Sequence, residues 1–390
     1  MTAIVGILNK RAACIAADSA VTFGNGYKIH NSANKIFSLG EKHPVGVMVY
    51  GNSCFMKTPW EIIIKMYGRD LKDTPKDSLE LYAQDFINFL YQKDFFLDNQ
   101  NIDSYLQNFI YHVHNSIKEK SISNSKSLFD MYKYYYLSFK KEEKCEDLVN
   151  LSFEDFLKLT TDTIDNIKAE IIASDINDFE TNVLLEETLY EIIKAKDSTF
   201  QSSGIVFVGY GESDIYPKLM SYKISFPMNH KLRYFCDNLT VINNYGNDAS
   251  IIPFAQTDVI ETIISGINTS LLQKLLKFSE ETLKQMHHSI VCELSKEMDN
   301  IPQNIENFKT EKFLFELSDK IESHIRTEQV VPLLYSIGSL EKSELAEVAE
   351  SLIALTTVKR KITFYTESVG GPIDVAIISK HEGFQWIKRK

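Results

Sequence analysis

Cysteines are few and scattered in this chain of 390 residues: Cys14, Cys54, Cys145, Cys236 and Cys292. An odd number without paired spacing forms neither a disulfide framework nor a metal-ligand set. It fits a reducing cytoplasm. No apolar run is long enough to span a bilayer, so no membrane partner is expected. The first residues lack the basic and apolar regions of a signal peptide, so no cleavable leader is expected either. Positive charge is in deficit: 42 Lys and Arg face 53 Asp and Glu, for a formal net charge of −11. A general nucleic-acid binder would carry a basic surface instead. Glycine and proline are absent from Phe95 to Thr199, a stretch rich in Asp, Glu, Lys, Phe and Tyr that reads as largely helical. Against these absences the bulk composition is ordinary for a globular protein, with 44% hydrophobic and 24% charged residues. The length admits one large domain or two smaller ones.

The chain opens Met1-Thr2. Removal of Met1 exposes a threonine that carries a hydroxyl and a free α-amino group on one residue, a nucleophile with its own base. An α-amine has an ordinary pKa of about 7.7–8.0, so part of it is neutral near pH 7 and can take the hydroxyl proton. Many proteins begin Met-Thr without consequence, so the next fifty residues decide the matter.

Thr2 to Leu8 reads as a buried strand, Asn9-Lys10-Arg11 as a polar turn, and Ala12 to Ala17 as a second strand ending at Asp18. Gly24-Asn25-Gly26 is a hairpin signal. Lys35 to Leu39 and Val45 to Tyr50 are further strands, the last stopping at Gly51. A helix starts near Trp60, where Thr58 and Glu61 have capping-box spacing around Pro59.

This order resembles the proteasome β-subunit family of N-terminal-nucleophile hydrolases, which includes the bacterial HslV-type peptidases. Four pieces carry the resemblance: Thr2-Ala3-Ile4-Val5-Gly6-Ile7; Ala16-Ala17-Asp18-Ser19 with Thr22; Ala33-Asn34-Lys35-Ile36-Phe37; and Val45 to Asn52. No piece is specific alone; all four in order are. The resemblance implies Thr2 as nucleophile and general base, Asp18 as the acid that holds the catalytic lysine, Lys35 as that lysine, and Gly51 as the oxyanion N–H. A cation near Thr2 would stabilise the alkoxide and keep the amine neutral. Taken singly, each residue also has a plain structural reading. Lys35 fits a solvated edge lysine, Asp18 a turn cap and Gly51 a strand end. One departure stands out: many family members carry an arginine two residues after the aspartate, where this chain has Ala20.

Further along, Trp60 to Tyr67 and Leu79 to Tyr91 show helical spacing. The aromatic cluster Tyr132 to Tyr136 fits the packed face of an amphipathic helix better than a binding surface. Strands return at Gly204 to Gly211 and Lys218 to Phe226. Gly209-Tyr210-Gly211 lacks the third glycine and the lysine of a phosphate loop. Thr257 and Glu261 have capping-box spacing for a helix running through Ile267 or beyond, and Gln256 and Thr257 are the nearest candidates for the serine that the family presents to its threonine. Residues 268 to 330 look helical with a break near Pro302. His112-Val113-His114 and His287-His288 lack a partner set for a metal and read as core or solvated histidines. Leu345, Val348, Ala349, Leu352 and Leu355 form a helical stripe. Gly370-Gly371 before two last strands resembles the family's terminal hairpin, which implies that Glu367 and Ser368 support the threonine.

The resemblance covers 2–70, 201–267 and 335–390. It implies an α+β fold, a four-layer αββα sandwich, with helical insertions at 71–200 and 268–334. The implied activity is a threonine peptidase that cleaves polypeptide without metal or organic cofactor, works as a homo-oligomer, as the family's rings do, and receives substrate from a separate ATP-dependent unfoldase. Two other functions share the fold: an inactive scaffold subunit, favoured by Ala20 and the long insertions, and an amidase acting on small molecules.

Overall fold

The computed structural model describes residues 2–23, 28–93, 99–173, 179–196, 202–228, 231–297, 310–363 and 369–390. In chain order the first strands are β1 (Ala3–Asn9), β2 (Ala13–Asp18), β3 (Val21–Phe23), β4 (Lys28–His30), β5 (Ile36–Ser38), β6 (Val45–Gly51), β7 (Cys54–Phe55) and β8 (Thr58–Pro59). Helices α1 (Trp60–Leu71), α2 (Leu79–Gln92), α3 (Asn99–Ser123), α4 (Leu128–Lys141), α5 (Phe153–Ala173) and α6 (Phe179–Lys194) follow. Strands β9 (Ser203–Gly209), β10 (Lys218–Met228), β11 (Lys231–Val241) and β12 (Ala249–Ala255) come next. The chain closes with α7 (Asp258–Ser265), α8 (Thr269–Glu297), α9 (Thr310–Ile325), a π-helical turn at Arg326–Val330, α10 (Val331–Ser339), α11 (Lys342–Ile362), β13 (Ile373–Ser379) and β14 (Gly383–Lys388). Antiparallel sheets and separate helical runs make this an α+β fold. Among the described residues no helix is long and apolar enough to cross a membrane.

The chain divides into two compact units. The first comprises Met1–Ala33, Ile242–Val375 and Ile387–Lys390; the second comprises Asn34–Val241 and Ala376–Trp386. One five-stranded sheet runs β12-β1-β2-β13-β14. In the first unit, every residue of β1 and β2 is buried, which explains their continuous apolar sequence. Helix α11 packs on both strands. Its buried face is Leu345, Ala346, Ala349, Leu352, Ile353 and Thr356. Of the expected stripe, Leu345, Ala349 and Leu352 are buried, Val348 is half-buried and Leu355 is 50% exposed. Asn9 builds the turn after β1. Its Oδ1 accepts from Arg11 N at 2.9 Å and Ala12 N at 3.1 Å, and its Nδ2 donates to the Ile337 and Leu340 carbonyls at the end of α10.

The second unit holds the sheet β11-β10-β9-β6-β5. Alternate residues Val45, Val47, Val49, Ile205, Phe207, Tyr222 and Ile224 face one way. They meet Trp60, Ile63, Tyr67, Tyr82 and Phe86 of α1 and α2 in one apolar cluster, with the Phe86 and Phe207 rings 5.4 Å apart. A second cluster joins α3 to α6 with Phe226, Met228 and Phe235. Arg233, 1% exposed, links that helical layer to the sheet. Its guanidinium donates to the Ile193 and Ala195 carbonyls, at the end of α6, both at 2.8 Å. In the aromatic cluster Tyr132 is fully buried and bonds His114 Nδ1 at 2.6 Å, whereas Tyr134 is 59% exposed.

Several local expectations change. Helix α1 has Pro59 at its N-cap with no side-chain cap, so Thr58 and Glu61 form no capping box. Glu61 instead pairs with Lys65 at 2.5 Å and accepts from Asn34 at 3.3 Å. Helix α7 likewise has no side-chain cap at Thr257. It stops at Ser265 rather than at Ile267, because Gly266 adopts φ +71° and turns the chain out of the helix. Strands β3 and β4 pair antiparallel as a hairpin requires, and the expected turn at Gly24-Asn25-Gly26 lies outside the described residues, as does the expected break near Pro302.

Candidate active site

The candidate residues fall in two groups, one in each unit. Thr2 and Asp18 belong to the first, Lys35 and Gly51 to the second. Glu367 and Ser368 lie outside the described residues.

Thr2 leads directly into β1 and is 8% exposed. Two neighbours hold its backbone. On one side β12 pairs with β1 in the register Ala3↔Ala255, and Gln256 N donates to the Thr2 carbonyl at 3.1 Å. Ala255 occupies the left-handed region at φ +65°, a strained position for a residue with a Cβ. On the other side β2 pairs with β1 in the register Ile4↔Ala17, which brings the next residue, Asp18, level with Ala3. Asp18 Oδ1 accepts the Ala3 N–H at 2.9 Å. That N–H belongs to the peptide joining Thr2 to Ala3, so the carboxylate grips the nucleophile's own amide.

Asp18 is 1% exposed. A charge this buried needs dedicated donors. Its Oδ2 accepts from Ala20 N at 3.1 Å and Gly370 N at 3.0 Å. Bonds from backbone N–H to an ionised carboxylate are among the stronger protein hydrogen bonds. The turn-cap reading of Asp18 is thus correct but incomplete: the Ala20 bond is local, while those to Ala3 and Gly370 tie distant segments together. Ser19 extends the tie. Its N–H donates to the Gly370 carbonyl at 3.1 Å and its hydroxyl to the Pro372 carbonyl at 2.7 Å, while its own carbonyl accepts from Ala33 N at 3.1 Å. The Gly-Gly segment therefore serves the aspartate directly. Sequence reading singled out that segment but assigned its role to residues before it.

In the second unit Lys35 precedes β5, and its carbonyl accepts from Val49 N at 2.9 Å. It is 5% exposed, so it is no solvated edge lysine. Gly51 ends β6 opposite Ser203 of β9, at φ +80°. A Cβ there would stand 2.4 Å from the Ser202 carbonyl oxygen. The position therefore requires glycine, beyond what an ordinary strand end asks. Beside it, the Tyr50 ring lies under the Lys223 ammonium at 4.5 Å. Burial pushes the Lys223 pKa below the usual lysine range, against the opposing pull of Asp237.

Among the described residues no three His, Cys, Asp or Glu side chains are grouped to hold a metal. His114 is a core histidine, and His288 lies 3.6 Å from Cys292 on α8. Cys14, in β2, is pushed up to about 12 by burial, which removes it as a nucleophile near neutral pH.

No protein-family model matches the chain. No curated protein matches it either. Among solved structures, the Gly-1 mutant of Anbu from Hyphomicrobium sp. strain MC1 aligns with 100% of this chain and 86% of its own, at 9% identity and a TM-score of 0.31.

Proposed function

We propose that this chain is a proteasome-type threonine peptidase, built as a four-layer αββα sandwich of the N-terminal-nucleophile class, with Thr2 as its nucleophile once Thr2 is the mature N-terminus. The observation that carries the reading is the buried Asp18 carboxylate bonded to the Thr2–Ala3 amide. A carboxylate held by three backbone N–H groups from separate segments is an expensive way to close a turn. It is a reasonable way to fix a reacting residue.

In the proposed reaction the neutral Thr2 α-amine takes the Oγ1 proton as Oγ1 attacks the scissile carbonyl. The charged Lys35 favours the alkoxide and keeps the amine neutral by repulsion. The Gly51 N–H receives the developing oxyanion. Collapse breaks the C–N bond, and the protonated α-amine gives its proton to the leaving amine. Water then hydrolyses the acyl ester, with the amine again as base, and regenerates Thr2. No metal or organic cofactor enters. Sequestering such a site calls for a homo-oligomer, and folded substrates would need a separate ATP-dependent unfoldase.

Turnover of a panel of fluorogenic peptides by wild type, Thr2→Ala and Lys35→Ala tests this. Both variants should fold and lose turnover. Cleavage by Thr2→Ala would overturn the nucleophile, and full activity in Lys35→Ala would overturn the mechanism.

A further inference from the structure

Lys390 makes contacts that neither the sequence nor the mechanism above explains. Its ammonium donates to Ser19 Oγ at 3.1 Å and to the Ala33 carbonyl, and it stands 3.5 Å from Asp374 Oδ2. The Lys390 N–H closes the same carboxylate from its other side, donating to Asp374 Oδ1 at 2.9 Å. The pair is largely buried, with side-chain exposures of 17% for Lys390 and 6% for Asp374. A lysine ammonium has three protons and no acceptor. Here it meets three acceptors from three separate segments.

Two of those segments lead back to Asp18 through Ser19. Ser19 follows Asp18 in the chain, donates its hydroxyl to the Pro372 carbonyl and accepts the Ala33 N–H on its own carbonyl. Lys390 is thus tied through the Ser19 hydroxyl to Pro372, while Ser19 N and the Asp18 carboxylate share Gly370 as a partner. Ala33 itself stands two residues before Lys35 in the sequence. Holding a lysine side chain in one place costs its large rotamer freedom, about 1.5–2 kcal/mol.

We infer that Lys390 is a positioning residue: by holding Ser19 and Ala33 it fixes the Asp18 carboxylate, and through it Thr2, in the geometry that reacts. The inference rests on the proposed role of Thr2. It does not make Lys390 a catalytic residue, since its ammonium touches only protein groups.

The test is the rate at which a peptide epoxyketone modifies the full chain, read by intact mass against reagent concentration. Lys390→Met keeps the aliphatic stem and removes the donor. Its maximal modification rate should fall by about tenfold to a hundredfold, the scale of a misplacement of about 1 Å, with the half-saturating concentration unchanged. Lys390→Arg, which restores charge and donors, should recover most of the rate. A lysine needed only for folding would not split rate from affinity in this way. Should Lys390→Met fail to fold, Ser19→Ala replaces it, removing the receiving hydroxyl while keeping the Lys390–Asp374 pair. Modification of either folded variant at the wild-type rate would overturn the positioning role alone. A wild type with Thr2 at its N-terminus that takes no adduct would overturn the Thr2 reading, and this role with it.

Discussion

Asp18→Asn changes one atom and almost no volume, yet it should be among the most destabilising single substitutions in this chain. The carboxylate takes Ala3 N on Oδ1 and both Ala20 N and Gly370 N on Oδ2. An amide has one oxygen, so one side must present an NH2 group to an N–H. The better orientation points oxygen at Ala20 and Gly370 and faces the NH2 toward Ala3. Two bonds then fall from charge-assisted to neutral, which costs roughly half of about 1.5–3 kcal/mol each. The Ala3 donor is left buried and unsatisfied, at about 1–3 kcal/mol. The sum is about 2.5–6 kcal/mol, a large part of the about 5–15 kcal/mol that holds most domains folded. Urea unfolding followed by far-ultraviolet circular dichroism measures it, with an unchanged slope showing that the same surface is exposed. A loss below about 1 kcal/mol would refute the reasoning, because it would mean that the three donors find other partners without cost.

Two further predictions follow from geometry and from burial. Gly51→Ala places a methyl group 2.4 Å from the Ser202 carbonyl at φ +80°, so β6 and β9 must part locally. Thermal unfolding should show a loss of about 1–3 kcal/mol, and an unchanged midpoint would contradict the tight approach. His114 has its pKa lowered from 6.5, first by burial and then by Lys118. The unfolded chain therefore binds this proton more readily than the folded one. Its contribution to stability is complete above about pH 6.5 and is lost as pH falls toward the lowered folded value. Replacing His114 by Gln should flatten the denaturation midpoint across that window, and an unchanged acid slope would assign the slope to other groups.

The sequence made the buried strands easy to see and the site's ties hard to see, for physical reasons. Strands β1, β2, β6 and β9 are buried almost end to end, so they read as unbroken apolar runs. Strand β11 gave no such signal. It lies at a sheet edge, is buried only at Leu232, Arg233 and Phe235 and partly or fully exposed elsewhere, and carries Arg233 inward, where the end of α6 satisfies it. The end of α7 is hidden in the sequence because helical periodicity continues past Gly266, whose positive φ ends the helix. Asp18 was legible from its place in the order of motifs. Its partner Gly370 lies 352 residues away, and a backbone N–H leaves no mark on residue identity. Lys390 gave no signal at all, since one more lysine in a closing basic run is the commonest of surface features.

The central claim is that Thr2 reacts through its own hydroxyl and amine. Intact mass before and after incubation with a peptide epoxyketone tests it most directly, because that reagent bridges both groups of an N-terminal threonine. The account predicts a chain that begins at Thr2, gains one adduct, and loses it in Thr2→Ala. A chain that retains Met1, or an adduct that survives in Thr2→Ala, would contradict it.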